Sequence, residues 1–198
     1  MTTTTAAPAA PPVPHRCPWI VQYFLVSPLR RLVEPPDKLL APHVREGMTV
    51  LEPGCGMGYF SLPIARMVGP DGRLLCVDVE PRALQRLERR ARRAGVADRI
   101  TVSTCGPTRL GLEGHVGQVD LTLVMHALHE LEDLPGFLDQ IRALLRPDGR
   151  MFVVEPDGHV SPEQFDAMMA CAEERGLMVI ERPDVGRRRL ATLLGRRG

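Results

Sequence analysis

Aromatic side chains are scarce in this chain of 198 residues: one tryptophan, two tyrosines and five phenylalanines make up 4% of it. Lysine is scarcer still, with Lys38 standing alone and arginine supplying the remaining basic charge. No apolar run approaches the ~20 residues that cross a bilayer. There is no Cys-x-x-Cys pair, and the five cysteines, at 17, 55, 76, 105 and 171, are odd in number and scattered. That pattern excludes a disulfide framework and predicts reduced thiols in a cytoplasmic protein. An excess of charge is missing too: 25 basic against 24 acidic residues leave a net charge of +1. Such a balance excludes a generally basic nucleic-acid binder and an acidic disordered tail. What is there, 44% hydrophobic and 25% charged residues, describes a soluble globular chain with a core of its own.

Three stretches differ in composition. Residues 1–16 are mostly threonine, alanine and proline, a flexible leader without the charged and apolar regions of a signal peptide. Residues 17–46 open with a dense apolar cluster, Trp19 to Val26, and read as a lid segment with short helices near 29–33 and over 36–44. From residue 47 to 198 strands alternate with helices. Strands are predicted at 48–52, 73–78, 99–104, 119–125, 150–155, 178–182 and 187–194, and helices at about 54–68, 81–94, 134–145 and 162–175. Alternation of this kind builds βαβ units, hence an α/β doubly wound, Rossmann-like sheet of seven strands, mostly parallel, with helices on both faces and the last strand antiparallel.

Ligands in such sheets bind beyond the carboxyl ends of the strands, where strand order reverses. The first strand-to-helix turn reads Glu52-Pro53-Gly54-Cys55-Gly56-Met57-Gly58. Glycines at 54, 56 and 58 let the backbone turn tightly and a ligand approach it. Asp78, at the end of the second strand, can accept both hydroxyls of a ribose. A dinucleotide fingerprint would place its third glycine at Tyr59, and no Gly-Lys-Ser/Thr follows for a P-loop. The spacing favours a ribose-bearing ligand with a cationic amine and no phosphate, a description that S-adenosylmethionine (SAM) meets.

The segment Val50–Gly58 resembles the first motif, Glu-x-Gly-x-Gly-x-Gly, of class I SAM-dependent methyltransferases. Cys76–Pro81 is similar to their second motif, Asp120–Leu131 to the fourth-strand motif, and Leu144–Arg150 to the turn before strand five. Within that family the chain resembles the small-molecule branch typified by ubiquinone and menaquinone biosynthesis enzymes. The resemblance implies that Gly54, Gly56 and Gly58 line the methionine and ribose of SAM, that Glu52 orients its amino group, and that Asp78 holds the ribose. It places Val79 on the adenine and the backbone at Met125 by the methionine part. Where the family usually offers an Asp after strand three, this chain has Cys105-Gly106-Pro107.

SAM is an activated donor, so in-line positioning is the main task and a base is needed only for an acceptor that must lose a proton. His126, His129, Glu130, Glu155 and His159 all fall at or beyond the ends of strands four and five, with His129, His159 and His126 as the candidate bases. No metal is expected. The acceptor is expected to be a small molecule, apolar or aromatic, closed in by Trp19, Tyr23 and Phe24. Arg82, Arg86, Arg89, Arg90 and Arg93 read as the solvated face of a helix rather than a nucleic-acid surface. Two alternatives stay open: an idle SAM- or nucleoside-binding regulatory module, and an arsenite-type enzyme using Cys17, Cys55 and Cys105 as thiolates.

Overall fold

A computed structural model describes residues 34–186 and 189–197. The leader, the apolar cluster with Trp19, Tyr23 and Phe24, the helix expected near 29–33, and Cys17 lie outside the described residues. Seven strands form one sheet: β1 (Thr49–Pro53), β2 (Arg73–Asp78), β3 (Ile100–Thr104), β4 (Val119–Met125), β5 (Leu145–Pro156), β6 (Leu177–Glu181) and β7 (Arg189–Arg196). Their order is β3-β2-β1-β4-β5-β7-β6. Strands β1 to β5 pair in parallel, whereas β7 runs antiparallel to both β5 and β6. Strand order reverses between β1 and β4, so the cleft opens where β1, β2 and β4 end.

Each strand of the interior is apolar on both faces, as a parallel sheet covered on two sides requires. Val50, Leu74, Leu121, Leu123 and Phe152 pack with α1 (Pro36–Leu40), α2 (Ser61–Met67) and α3 (Pro81–Ala94). The alternate residues Leu51, Leu75, Val77, Val124 and Val153 meet α4 (Leu134–Leu144) and α5 (Pro162–Glu174) on the other face. The helix ends follow from local chemistry. The Glu80 carboxylate accepts from Arg82 N–H at the start of α3, and Gly95 ends it in the left-handed region at φ 68°. Asp133 caps α4, and Ser161 with Gln164 makes a capping box for α5.

The boundaries differ from expectation at three places. The helix expected from 54 begins only at Ser61, because three left-handed glycines hold 54–60 in turns. The first short helix stops at Leu40 rather than at residue 44. Strand β5 starts at Leu145, five residues early: Val119 pairs with Leu145 and Leu121 with Arg150, so the Arg146–Gly149 turn bulges out of the strand opposite Asp120. Asp120 closes that bulge, bonding Arg146 Nη1 at 2.5 Å through one oxygen and accepting Thr49 N–H at 2.7 Å through the other.

Candidate active site

The glycine loop leaves β1 with Gly54, Gly56 and Gly58 at φ 69°, 52° and 81°, a region closed to most side chains. The amides of Gly54 and Cys55 both donate to Val77 O, at 2.8 and 3.3 Å, which ties the loop to the end of β2. The three glycines do different work. A Cβ on Gly54 would come within 3.1 Å of Ala127 Cβ, and one on Gly58 within 2.3 Å of Leu87 Cδ1. The bare carbon at Gly58 therefore lets α3 pack against the loop. A Cβ on Gly56 would meet nothing within 4 Å, so this residue faces open space in the cleft.

Asp78 bounds that space. One carboxylate oxygen accepts Gly56 N–H at 2.7 Å and the other Glu80 N–H at 2.9 Å. Burial raises its pKa, opposed by these backbone bonds. Beside it Val79 is 52% exposed, an apolar side chain standing open at the cleft. Met125 is buried at the end of β4.

Glu52 lies beneath the loop, 2% exposed, accepting Ser61 Oγ–H at 2.5 Å with Cys76 Sγ at 3.8 Å. Burial pushes its carboxyl up to about 8, against the lowering effect of the Ser61 and Cys76 bonds. Burial therefore favours its neutral form near pH 7. Its neighbour Cys55 is held well above the usual thiol range, first by its hydrogen bond with Cys76 and then by burial. Burial raises Cys76 and half-buried Cys105 as well. A raised pKa disfavours the thiolate, the form that ligates a metal. Among the described residues no group of three His, Cys, Asp or Glu side chains gathers as metal ligands.

The three candidate histidines divide into two settings. His129, on the turn Leu128–Glu130 after β4, places Nδ1 2.5 Å from Glu155 Oε2, and Glu155 Oε1 accepts Leu128 N–H at 2.7 Å. Glu155 is 0% exposed at the end of β5, and the exposed His159 ring meets His129 edge-on with centroids 5.6 Å apart. His126 instead turns away. Its backbone is left-handed at φ 59°, its amide donates to Val154 O at 2.8 Å, and its Nε2 lies 2.7 Å from Glu34 Oε1. Glu34, 4% exposed, also meets Arg189 Nε at 3.1 Å, and its carbonyl accepts Tyr59 O–H at 2.6 Å.

Sequence reasoning missed two features. Glu34 meets a histidine 92 positions later, and nothing in local pattern announces such a pair. Arg86 and Arg90, expected on a solvated face, reach back to the glycine loop. Arg90 Nη1 donates to Met57 O, and Arg86 Nη1 lies 3.5 Å from Met57 Sδ. Both could have been suspected from their helical spacing one turn apart, on the side where Leu87 meets Gly58. Arg82, Arg89 and Arg93 are exposed as expected.

Comparison with known proteins identifies the family. A family model described as a methyltransferase domain matches residues 44–186. A ubiquinone biosynthesis O-methyltransferase of Methylocella silvestris is 32% identical over 117 residues, which is 59% of this chain and 43% of that protein. A ribosomal protein L11 methyltransferase of Pelotomaculum thermopropionicum is 31% identical over 151 residues, 76% of this chain and 44% of that one. The chain thus spans less than half the length of these relatives. The crystal structure of a SAM-dependent methyltransferase from Aquifex aeolicus superposes with a TM-score of 0.79 at 22% identity, covering 88% of this chain and 96% of that one.

Proposed function

Since the chain belongs to the methyltransferase-domain family, we propose that it binds SAM in the cleft between β1, β2 and β4 and transfers its methyl group to a small-molecule acceptor. One juxtaposition carries the reading: Gly56 faces open space, Asp78 stands 2.7 Å from its amide, and Val79 is bare beside them. A ribose edge, a carboxylate and an apolar seat for a purine fall together there. Bound in this cradle, SAM supplies a methyl group already activated on a sulfonium.

The chain's residues bind and orient. Gly54 and Gly56 leave room for the donor along the loop, and Gly58 holds that loop against α3. Asp78 accepts the ribose hydroxyls, Val79 packs on the adenine, and the backbone at Met125 borders the methionine part. Glu52 is the acidic group assigned to the donor's amino end. An ammonium brought near a carboxyl with a pKa of about 8 favours its ionised form.

A small acceptor suits the cleft because the segments at its rim, 54–60, 126–133 and 157–161, are short and hold no inserted substrate domain. The name of the Methylocella silvestris relative, a quinone-pathway O-methyltransferase, supports the same class. No described helix is long and apolar enough to cross a membrane. Free thiols, buried at Cys55 and Cys76, suit a reducing compartment such as the cytoplasm.

Thermal unfolding with S-adenosylhomocysteine tests the donor site. At ~100 times its dissociation constant the nucleoside adds about 2.7 kcal/mol of stability, which is a shift of several degrees. Wild type shows it and Asp78→Ala loses most of it. A wild type that does not respond overturns the reading.

A further inference from the structure

We propose that His129 is a catalytic base oriented by Glu155, and that the methyl acceptor is therefore a hydroxyl group that gives up its proton as the new bond forms. The inference rests on the donor reading above and adds the acceptor's chemistry. Both oxygens of the buried Glu155 carboxylate are committed to one turn: Oε1 to Leu128 N–H at 2.7 Å, Oε2 to His129 Nδ1 at 2.5 Å. A carboxylate facing Nδ1 keeps the proton on that nitrogen and leaves Nε2 with its lone pair. No hydrogen bond among the described residues engages Nε2, and it is not among the buried unpartnered atoms. The ring is about one-fifth exposed, and His159 braces its edge.

The turn that carries this base packs beside the glycine loop. Ala127, two residues before His129, has its Cβ 3.1 Å from where a Cβ on Gly54 would stand, and β4 pairs in parallel with both β1 and β5. The ribose-side carboxylate and the dyad thus border one cleft, at the ends of β2, β4 and β5. Glu155 acts through His129 and is a positioning residue. The balance is simple. The acceptor oxygen's lone pair forms the bond to the methyl carbon, the carbon–sulfur bond breaks with its electron pair on sulfur, and the hydroxyl proton passes to His129 Nε2. The imidazolium so formed keeps Nδ1–H on Glu155. A thiol, with a pKa of about 8.5, ionises in part on its own, and an amine attacks as its free base with no proton leaving as the new bond forms, so neither has the same need of a positioned imidazole.

The test uses 4-nitrophenol as a chromophoric hydroxyl probe on the complex of the full chain with S-adenosylhomocysteine. At a pH one unit below the probe's own pKa, wild type should display the phenolate band, because the proton moves to His129. His129→Gln should lose that band while binding the nucleoside within twofold of wild type by calorimetry. Nitrogen-15 spectra of the imidazoles should show the Nδ1–H tautomer for His129, shifted away from it in Glu155→Gln. With any hydroxyl acceptor that turns over, His129→Gln should fall ~100- to 10,000-fold in kcat. A phenolate band that survives His129→Gln, a probe that stays neutral or unbound in wild type, or an Nε2–H tautomer overturns the assignment. Failure of wild type to bind the nucleoside overturns the donor reading instead, so the two fail separately.

Discussion

Gly56 and Gly58 are two positions apart, yet the consequences of adding a methyl group differ. At Gly56 the new Cβ meets no atom within 4 Å, and the fold bears only the cost of a left-handed alanine at φ 52°, about 1 kcal/mol. The methyl group would instead occupy the proposed donor's space. At Gly58 the Cβ drives into Leu87 Cδ1 at 2.3 Å, and Leu87 is fully buried. Overpacking adds ~1–3 kcal/mol there to the backbone cost. Denaturant unfolding and calorimetry with S-adenosylhomocysteine separate the two: Gly56→Ala loses nucleoside affinity with a small change in midpoint, whereas Gly58→Ala loses several kcal/mol of stability. The glycine spacing was readable from the sequence, but this division was not, because it depends on which helix lies behind each carbon.

Helix α3 was legible in both bounds and register: Pro81 opens it, Gly95 closes it, and Leu84, Leu87 and Ala91 face the core. Its charged side was only half legible. Periodicity tells which residues leave the core face, not what they meet, and half-buried Arg86 and Arg90 meet the glycine loop at Met57. A charged donor on a backbone carbonyl contributes about 1.5–3 kcal/mol. Arg90→Ala should therefore loosen the loop, weakening nucleoside binding about tenfold by calorimetry. Arg89→Ala, on the exposed side, serves as the control with unchanged affinity. Strand β5 taught a related lesson. A Pro-Asp-Gly turn reads as the end of a loop, whereas here pairing begins before it, because Asp120 and Arg146 pin the bulge shut.

Over the whole molecule, the mostly parallel seven-stranded sheet with helices on both faces followed from the alternation of strands and helices, and the meeting of Asp78 with the glycine loop followed from motif spacing. The pairing of Glu155 with His129 did not, since it needs β4 and β5 to lie side by side. Burial of Glu52 also makes stability depend on pH. Its carboxyl titrates at about 8 in the fold against 4.5 ordinarily. Below 4.5 both states hold the proton and the fold bears no penalty. Between those values the unfolded chain releases its proton while the folded one keeps it, so stability falls as pH rises, levelling above about 8. Glu52→Gln removes the group, and the difference between wild type and variant should change by on the order of 4 kcal/mol between pH 4 and pH 9. Urea titrations at a series of pH values measure it, and a difference that does not move with pH would mean that Glu52 is not held neutral.

The Glu34 clasp carries a consequence for the order in which the molecule assembles. It joins a residue ahead of β1 to the turn after β4 and to the start of β7, whereas the glycine loop, Asp78 and α3 are neighbours along the chain. Contacts between distant positions bear the larger loop-closure entropy and form late. A nascent chain emerging before β7 would already hold the glycine loop beside Asp78 and the residues of the His129–Glu155 pair. It would not have Arg189 to draw Glu34 against His126, so this clasp would be among the last contacts of the protein to mature.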